Sequence, residues 1–388
     1  MRICFVAPPN TVHTRRWLSE VANRGHEVIL LSNISPPADW PDTWLFHQLP
    51  DDFPGQLTTN MWRIINWTRS HQLVPAGRWL WGARRLRQLW AELQPDLVHL
   101  HYLDHLPICA ALSAFQPLVA TPWGSDLLVE PKSFTASQKQ LFRHALSRVN
   151  HFMCNSVALE NACQAWGVPA ERISSRQWGV DRHQFHPQID TTHLRQRWHI
   201  PADTFIILSP RSLRPVYNIP HVLTAFAQVR AQIPNALLLQ FGGSSLTPDL
   251  EQQAESLGLT PHIRWLPFLD EDELPAIFNL AHVAISIPSS DSLPTSLLEA
   301  MACGTIPLFA NLGGVPDWIT DKSNGRLLPP ADPAALAQAL LWTHAQPDSW
   351  WQNARQQNET IINQRADRQK EFDAVITTYQ QLHTESTA

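Results

Sequence analysis

The chain has 388 residues, 44% of them hydrophobic, more than a single core usually organises and enough to fill two. A formal net charge of −5 and the lack of a recognition motif argue against nucleic acid as a partner. No run approaches the roughly 20 apolar residues that a membrane span needs. The five cysteines (Cys4, Cys109, Cys154, Cys163 and Cys303) are scattered and never in metal-ligand spacing, which points to a reducing cytoplasm.

Residues 2–7, Arg-Ile-Cys-Phe-Val-Ala, are too short for a signal core and read as a first buried strand. Further strands are expected at 28–32, 97–101, 118–121 and 151–155, with helices between them that include 15–23 and 83–93. A second series of strands is expected at 205–209, 236–241, 263–266, 283–287, 306–309 and 326–328, before a last helical stretch over 366–383. Short apolar runs alternating with helical patterns predict an α/β protein of two doubly wound parallel sheets covered by helices.

Charge divides unevenly between the two series. Residues 1–185 carry 17 Lys+Arg against 14 Asp+Glu, a net of +3, and the remainder carries 12 against 20, a net of −8. Between Asp52 and Glu92 there is no acid, while Arg63, Arg69, Arg78, Arg84, Arg85 and Arg87 interleave with Trp62, Trp67, Trp79, Trp81 and Trp90. Two readings stand for residues 61–91. In one, indoles at headgroup level and guanidiniums on phosphate make a peripheral contact with the inner face of a membrane. In the other, the tryptophans pack on the first sheet and the arginines are a solvated face.

The stretch 289–304, Ser-Ser-Asp-Ser-Leu-Pro-Thr-Ser-Leu-Leu-Glu-Ala-Met-Ala-Cys-Gly, carries the most chemistry. Pro294 suits the first helical position, leaving free N–H groups at Thr295, Ser296 and Leu297 behind the loop that ends in Leu293. Such a helix mouth attracts an anion, and the Thr295 and Ser296 hydroxyls add donors to phosphate oxygens. A carboxylate one turn on, Glu299, is placed to accept two ribose hydroxyls. The plain alternative is a surface helix with a Pro start and a solvated Glu. Asp270-Glu271-Asp272-Glu273 has the look of a metal cluster, yet it precedes a helical pattern, where acids favour the positive end, and no metal site is assigned.

After the helix come an apolar run at 306–309, Gly313-Gly314-Val315-Pro316, and Asn324-Gly325 before Leu327-Leu328-Pro329-Pro330. This order, an acid, seven residues, Glu-Ala-Met-Ala-Cys-Gly, a strand, Gly-Gly-Val-Pro, then Asn-Gly, resembles the family 4 glycosyltransferases of the GT-B fold. Gly179-Val180-Asp181 with Phe185-His186-Pro187 is similar to that family's crossing between its two domains. The resemblance implies a first Rossmann-like domain at 1–185 on the acceptor side, a second at 186–365 for the nucleotide sugar, and a C-terminal helix, 366–388, returning to the first. Two domains facing each other across a cleft, with ligand at the strands' carboxyl ends, are expected.

By the same resemblance Glu299 binds the donor ribose and Asp291 the hydroxyls of the donor sugar, one methylene short of the usual Glu. The loop 209–218 brings Arg211, with Arg214 in reserve, to the diphosphate; the family's Lys is replaced by Tyr217 or Asn218. Gly242 and Gly243 allow close backbone approach of the donor, and Phe268 stands where the family presents backbone to the base. Trp123 occupies a position where relatives commonly carry His, so imidazoles elsewhere, His101 and His13, are candidates for the cleft. A His at a strand end is more often a hydrogen-bonded structural residue. Asn10, His13, Arg16, Trp123 and Asp126 are the acceptor-side candidates, and Asp291, Arg211 and His101 the catalytic ones.

The implied activity is transfer of a hexose from a UDP- or GDP-linked donor to a hydroxyl of a saccharide or lipid-linked acceptor. It proceeds with retention at the anomeric carbon, and neither metal nor a further cofactor is called for. An epimerase or phosphorylase of related fold, and a nucleotide-sugar-binding protein that has lost catalysis, are the alternatives.

Overall fold

The structure is a computed structural model and describes residues 1–49, 73–242, 248–267 and 272–387. The chain forms two compact units, Met1–Arg176 with Phe372–Ala388, and Gln177–Glu371.

The first unit is built on seven parallel strands: β1 (Arg2–Val6), β2 (Glu27–Ser32), β3 (Leu45–Gln48), β4 (Leu97–His101), β5 (Leu118–Thr121), β6 (His151–Cys154) and β7 (Ile173–Ser175). Their order is β3-β2-β1-β4-β5-β6-β7, with Ile3 in register with Val28 on one side and Leu97 on the other. The central strands are buried along almost their whole length, as helices on both faces of a parallel sheet require. Helix Val12–Asn23 starts where the Thr11 hydroxyl accepts the Thr14 N–H at 3.1 Å.

Helix Leu73–Leu93 resolves part of the choice between the two readings of its tryptophans. Trp79 and Trp90 enter the core with Leu86 and Leu89, and their indole N–H groups donate to His105 Nδ1 at 2.8 Å and Ser113 Oγ at 2.7 Å. Trp81 and Leu80 stay out, 41% and 55% exposed, and the Arg85 guanidinium lies 5.1 Å from the Trp81 ring centre. Arg63, Arg69, Trp62 and Trp67 lie outside the described residues.

The last helix, Arg368–Thr387, packs its Phe372 and Tyr379 into the first unit. Phe372 meets Trp17 edge to face at 4.9 Å, and the buried Tyr379 hydroxyl accepts from Trp17 Nε1 at 3.1 Å and bonds His99 Nδ1.

The second unit holds β8 (Phe205–Ser209), β9 (Ala236–Phe241), β10 (Ile263–Leu266), β11 (Val283–Ser286), β12 (Ile306–Ala310) and β13 (Arg326–Leu328). These are parallel in the order β10-β9-β8-β11-β12-β13. Successive residues alternate between two apolar layers: Leu208, Leu239 and Phe309 join one with Leu298 and Met301, and Ile207, Leu238 and Leu308 join the other with Phe226 and Leu340.

Both crossings are held inside the second unit. The Val180 N–H donates to Ala366 O at 2.8 Å, and the Gln177 N–H to the Glu371 carboxylate at 3.1 Å. Gly179 has a φ of +68°, and a Cβ on it would stand 2.5 Å from the Arg368 Cα. The units therefore divide after Arg176 and after Glu371, earlier than 185 at the first crossing and later than 365 at the second.

Candidate functional site

In the second sheet the strand order reverses between β8 and β11, which are direct neighbours with Val283 beside Ile207. In doubly wound sheets ligands bind at the carboxyl ends of strands at such a switch point. Two loops emerge there, 210–218 after β8 and 287–294 after β11. They are stitched together: Ser289 N donates to Val216 O at 2.9 Å, and Asn218 Nδ2 donates to Ile287 O and Ser289 Oγ, both at 2.9 Å.

Arg211 sits where the two loops meet. Its Nε donates to Ser286 Oγ at 2.7 Å, its Nη2 pairs with the Asp291 carboxylate, and its guanidinium lies 4.8 Å from the Tyr217 ring centre. The other Asp291 oxygen accepts the Ser292 N–H at 2.9 Å. Thus Asn218 and Tyr217, the two residues read at the family's Lys position, serve the loop: one cross-links it, and the other supports Arg211. Arg214 is exposed and forms no ion pair among the described residues. Gln240 on β9, with no exposed surface, fixes the start of the arginine loop by donating to Arg211 O at 2.7 Å.

The far wall of the 287–294 loop is fixed by Gly313 and Gly314. Gly314 N donates to Ser292 O at 2.7 Å, and Gly313 has a φ of +55°. A Cβ at Gly313 would stand 2.0 Å from Ser292 O and 2.6 Å from Asp291 O, so only glycine lets the two segments touch.

Helix Thr295–Ala302 follows at once. Pro294 is its N-cap, with ψ at 130°, one position before the first helical residue expected for it, and no side chain caps the helix. Thr295 takes the first helical place. Leu297 N reaches back to Pro294 O at 3.1 Å, which removes one of the three donors expected at the mouth. The Thr295 and Ser296 N–H groups have no partner among the described residues, and the buried Ser296 Oγ has none either. The helix is buried on every side: Leu297, Leu298, Ala300, Met301 and Ala302 go into the core, and Glu299 is only 6% exposed. Leu293 is buried beside them.

A Cβ on Gly242 would meet Leu213 Cδ1 at 3.3 Å, a tight but yielding contact. Gly243 and Phe268 lie outside the described residues.

The first unit gathers a second set at the carboxyl ends of β1, β4 and β5. The Trp123 ring packs edge to face on His13 at 5.5 Å and on His101 at 6.0 Å. His101 is 1% exposed, 4.3 Å from His99 and 4.9 Å from Trp17 between ring centres, and neither ring nitrogen has a hydrogen-bond partner among the described residues. Burial first, and then the nearby His13, push its pKa down to about 3, so it is neutral.

Asp126 is fully buried. Its carboxylate accepts the N–H groups of Leu103 at 2.8 Å, Gly124 at 2.7 Å and Trp123 at 3.0 Å, which makes it a bracket for the Trp123 loop and leaves it no free edge for an acceptor. Burial raises its pKa to about 6 against the pull of those amides. Asn10 is exposed, and His13 and Arg16 are half-buried.

Sequence reasoning missed Ser286 and Gln240, which aim Arg211; a polar residue at the buried end of a strand was the only signal for either. The site assembled in the second unit offers two amides at a helix mouth, a buried hydroxyl, two guanidiniums and two carboxylates. That set matches a ligand that is anionic at one point and rich in hydroxyls at others.

The family model for glycosyl transferases group 1 matches residues 190–364, and that for glycosyl transferase 4-like matches residues 2–156. A D-inositol 3-phosphate glycosyltransferase of Streptomyces bingchenggensis is 25% identical over 283 residues, 66% of this chain. The match spans 61% of that relative's own length. Sucrose-phosphate synthase from Thermosynechococcus elongatus superposes with a TM-score of 0.79 at 17% identity, over 99% of this chain and 100% of that one. Anabaena HepE, solved in complex with UDP and glucose, gives 0.77 at 19% identity over 98% and 100%. The second unit thus matches the model of the group 1 glycosyl transferases and the first that of the glycosyl transferase 4-like family, and the fold is GT-B.

Proposed function

We propose that this chain moves a hexose from a UDP-linked donor to a hydroxyl of a saccharide or lipid-linked acceptor, with retention at the anomeric carbon. The observation that carries the reading is the mouth of helix Thr295–Ala302, with its two unpartnered amides and the buried, unpartnered Ser296 hydroxyl. A diphosphate placed there is met by the positive end of the helix dipole, with Arg211 and Arg214 on the neighbouring loop. As the glycosidic bond breaks, the leaving diphosphate gains charge, so these groups bind it more tightly in the transition state than before. Glu299 accepts the ribose hydroxyls one turn into the helix. Uridine is favoured over guanosine because the superposing HepE structure holds UDP. On this reading, side chains and amides supply all the positive charge the leaving group needs, and no metal is required.

Acceptor recognition falls to the first unit, around Asn10, His13, Arg16 and Trp123. The exposed face of helix Leu73–Leu93, with Leu80, Trp81, Arg84 and Arg85, supports a peripheral membrane contact, and with it a lipid-linked acceptor for polysaccharide or glycolipid synthesis. No helix among the described residues is long and apolar enough to cross a membrane.

The test is slow hydrolysis of UDP-glucose without acceptor, followed by NMR. The reading predicts release of UDP with the α-anomer of glucose appearing first, unchanged by EDTA. Release of the β-anomer, or loss of activity in EDTA, would contradict it.

A further inference from the structure

The guanidinium proposed to hold the donor diphosphate already carries an anion. Arg211 is engaged through Nε by Ser286 and through Nη2 by Asp291, with Tyr217 against its face, and its side chain is only 11% exposed. Asp291, 19% exposed, has both oxygens in use, one on Arg211 and one on the Ser292 N–H. Diphosphate and Asp291 thus call on the same cation, and two anions on one guanidinium repel each other in a partly desolvated site. The backbone is held there, with Gly314 N donating to Ser292 O at 2.7 Å and the Asp291 and Ser292 carbonyls packed against Gly313. What remains free is rotation of the Asp291 side chain.

We propose that Asp291 is a positioning carboxylate exchanged between Arg211 and the hydroxyls of the transferable sugar, and that this exchange makes the bare nucleotide diphosphate a poorer ligand than the nucleotide sugar. The proposal rests on the donor site proposed above. When a nucleotide sugar binds, phosphate takes the place of Asp291 on Arg211, and the sugar hydroxyls donate to the displaced carboxylate. When the nucleoside diphosphate alone occupies the site, no hydroxyl is present to satisfy Asp291. The carboxylate then returns to Arg211 and competes with the phosphate, which favours product release after transfer. A short acid suits this role, because its reach is set by one torsion next to a clamped backbone.

Calorimetry with UDP and UDP-glucose, on the wild type and on Asp291→Asn, tests the exchange. In the wild type UDP-glucose should bind more tightly than UDP; equal or reversed affinities would overturn the proposal without any variant. Asp291→Asn should bind UDP about fivefold more tightly, the size of one relieved ion pair, while UDP-glucose gains nothing, so the preference collapses. Unchanged or weaker UDP binding with a loss confined to UDP-glucose would make Asp291 a sugar ligand alone and refute the exchange. Failure of the wild type to bind any nucleotide is a different result, and it would remove the donor site itself.

Discussion

Arg211 and Asp291, 80 positions apart in the chain, form a partly buried ion pair that joins the loop after β8 to the loop after β11. The residues read from sequence as separate ligands, one for phosphate and one for sugar, are therefore one unit. Removing the cation leaves Asp291 without its ion-pair partner beside the proposed phosphate site. Arg211→Ala should weaken UDP binding by about tenfold to a hundredfold, the worth of a charge-assisted contact, measured by calorimetry. Arg214→Ala, by contrast, should cost less, because its side chain is solvated.

Gly313 should tolerate no substitution. Gly313→Ala places a left-handed residue into the Asp291 and Ser292 carbonyls, whereas Gly258→Ala, at a φ of +67° with nothing within 4 Å, incurs only the conformational term. That term is about 1 to 2 kcal/mol. Differential scanning calorimetry should show the larger fall in midpoint for Gly313→Ala, and nucleotide binding should be lost with it. Equal midpoints would mean that the loop is not clamped there.

His101 ties the stability of the first unit to pH. Its pKa falls from 6.5 to about 3 on folding, so the stability gained by keeping it neutral is present above pH 6.5 and lost as pH falls towards 3. His99, also buried, shifts in the same direction. Asp104 and Asp126, raised by burial to about 7 and about 6, act in the opposite sense, since what they contribute is lost as pH rises through those values. The comparison must therefore be differential. The midpoint of His101→Phe, relative to wild type, should rise steadily from pH 7 to pH 5. A constant offset would show that His101 does not titrate with unfolding.

The exposed face of helix Leu73–Leu93 should bind anionic lipid through Leu80, Trp81, Arg84 and Arg85. In flotation with phosphatidylglycerol vesicles at low salt, the wild type should rise with the vesicles, and a Leu80→Ser, Trp81→Ser double variant should stay behind. Equal flotation of the two would place any membrane contact elsewhere.

Central strands were legible because a parallel strand covered on both faces is a mostly apolar run, as in Leu97–His101, Phe205–Ser209 and Ala236–Phe241. The two strands missed, β3 and β7, are the edges of the first sheet, short and half-exposed, with too few apolar residues (Leu45 and Phe46, and Ile173) to make a run. Helix Val12–Asn23 begins three residues before the expected 15–23, because Thr11 supplies a cap that periodicity does not reveal. In the site, residue types were legible but pairings were not. Glu299 and Ser296 follow from helix geometry around a recognisable start. That Asp291 spends one oxygen on Arg211, or that Asp126 is given over to three backbone amides, depends on loops brought together from distant parts of the chain.

The most direct test of the central claim is thermal denaturation with UDP, GDP, ADP and their sugar conjugates, on the wild type and on Glu299→Ala. A ligand at a hundred times its dissociation constant stabilises by about 2.7 kcal/mol, a shift of several degrees for a domain of this size. The account predicts that UDP and a UDP-sugar raise the wild-type midpoint, the UDP-sugar more at equal concentration, and that neither moves Glu299→Ala. An unmoved wild type, or an equal shift in Glu299→Ala, would contradict it.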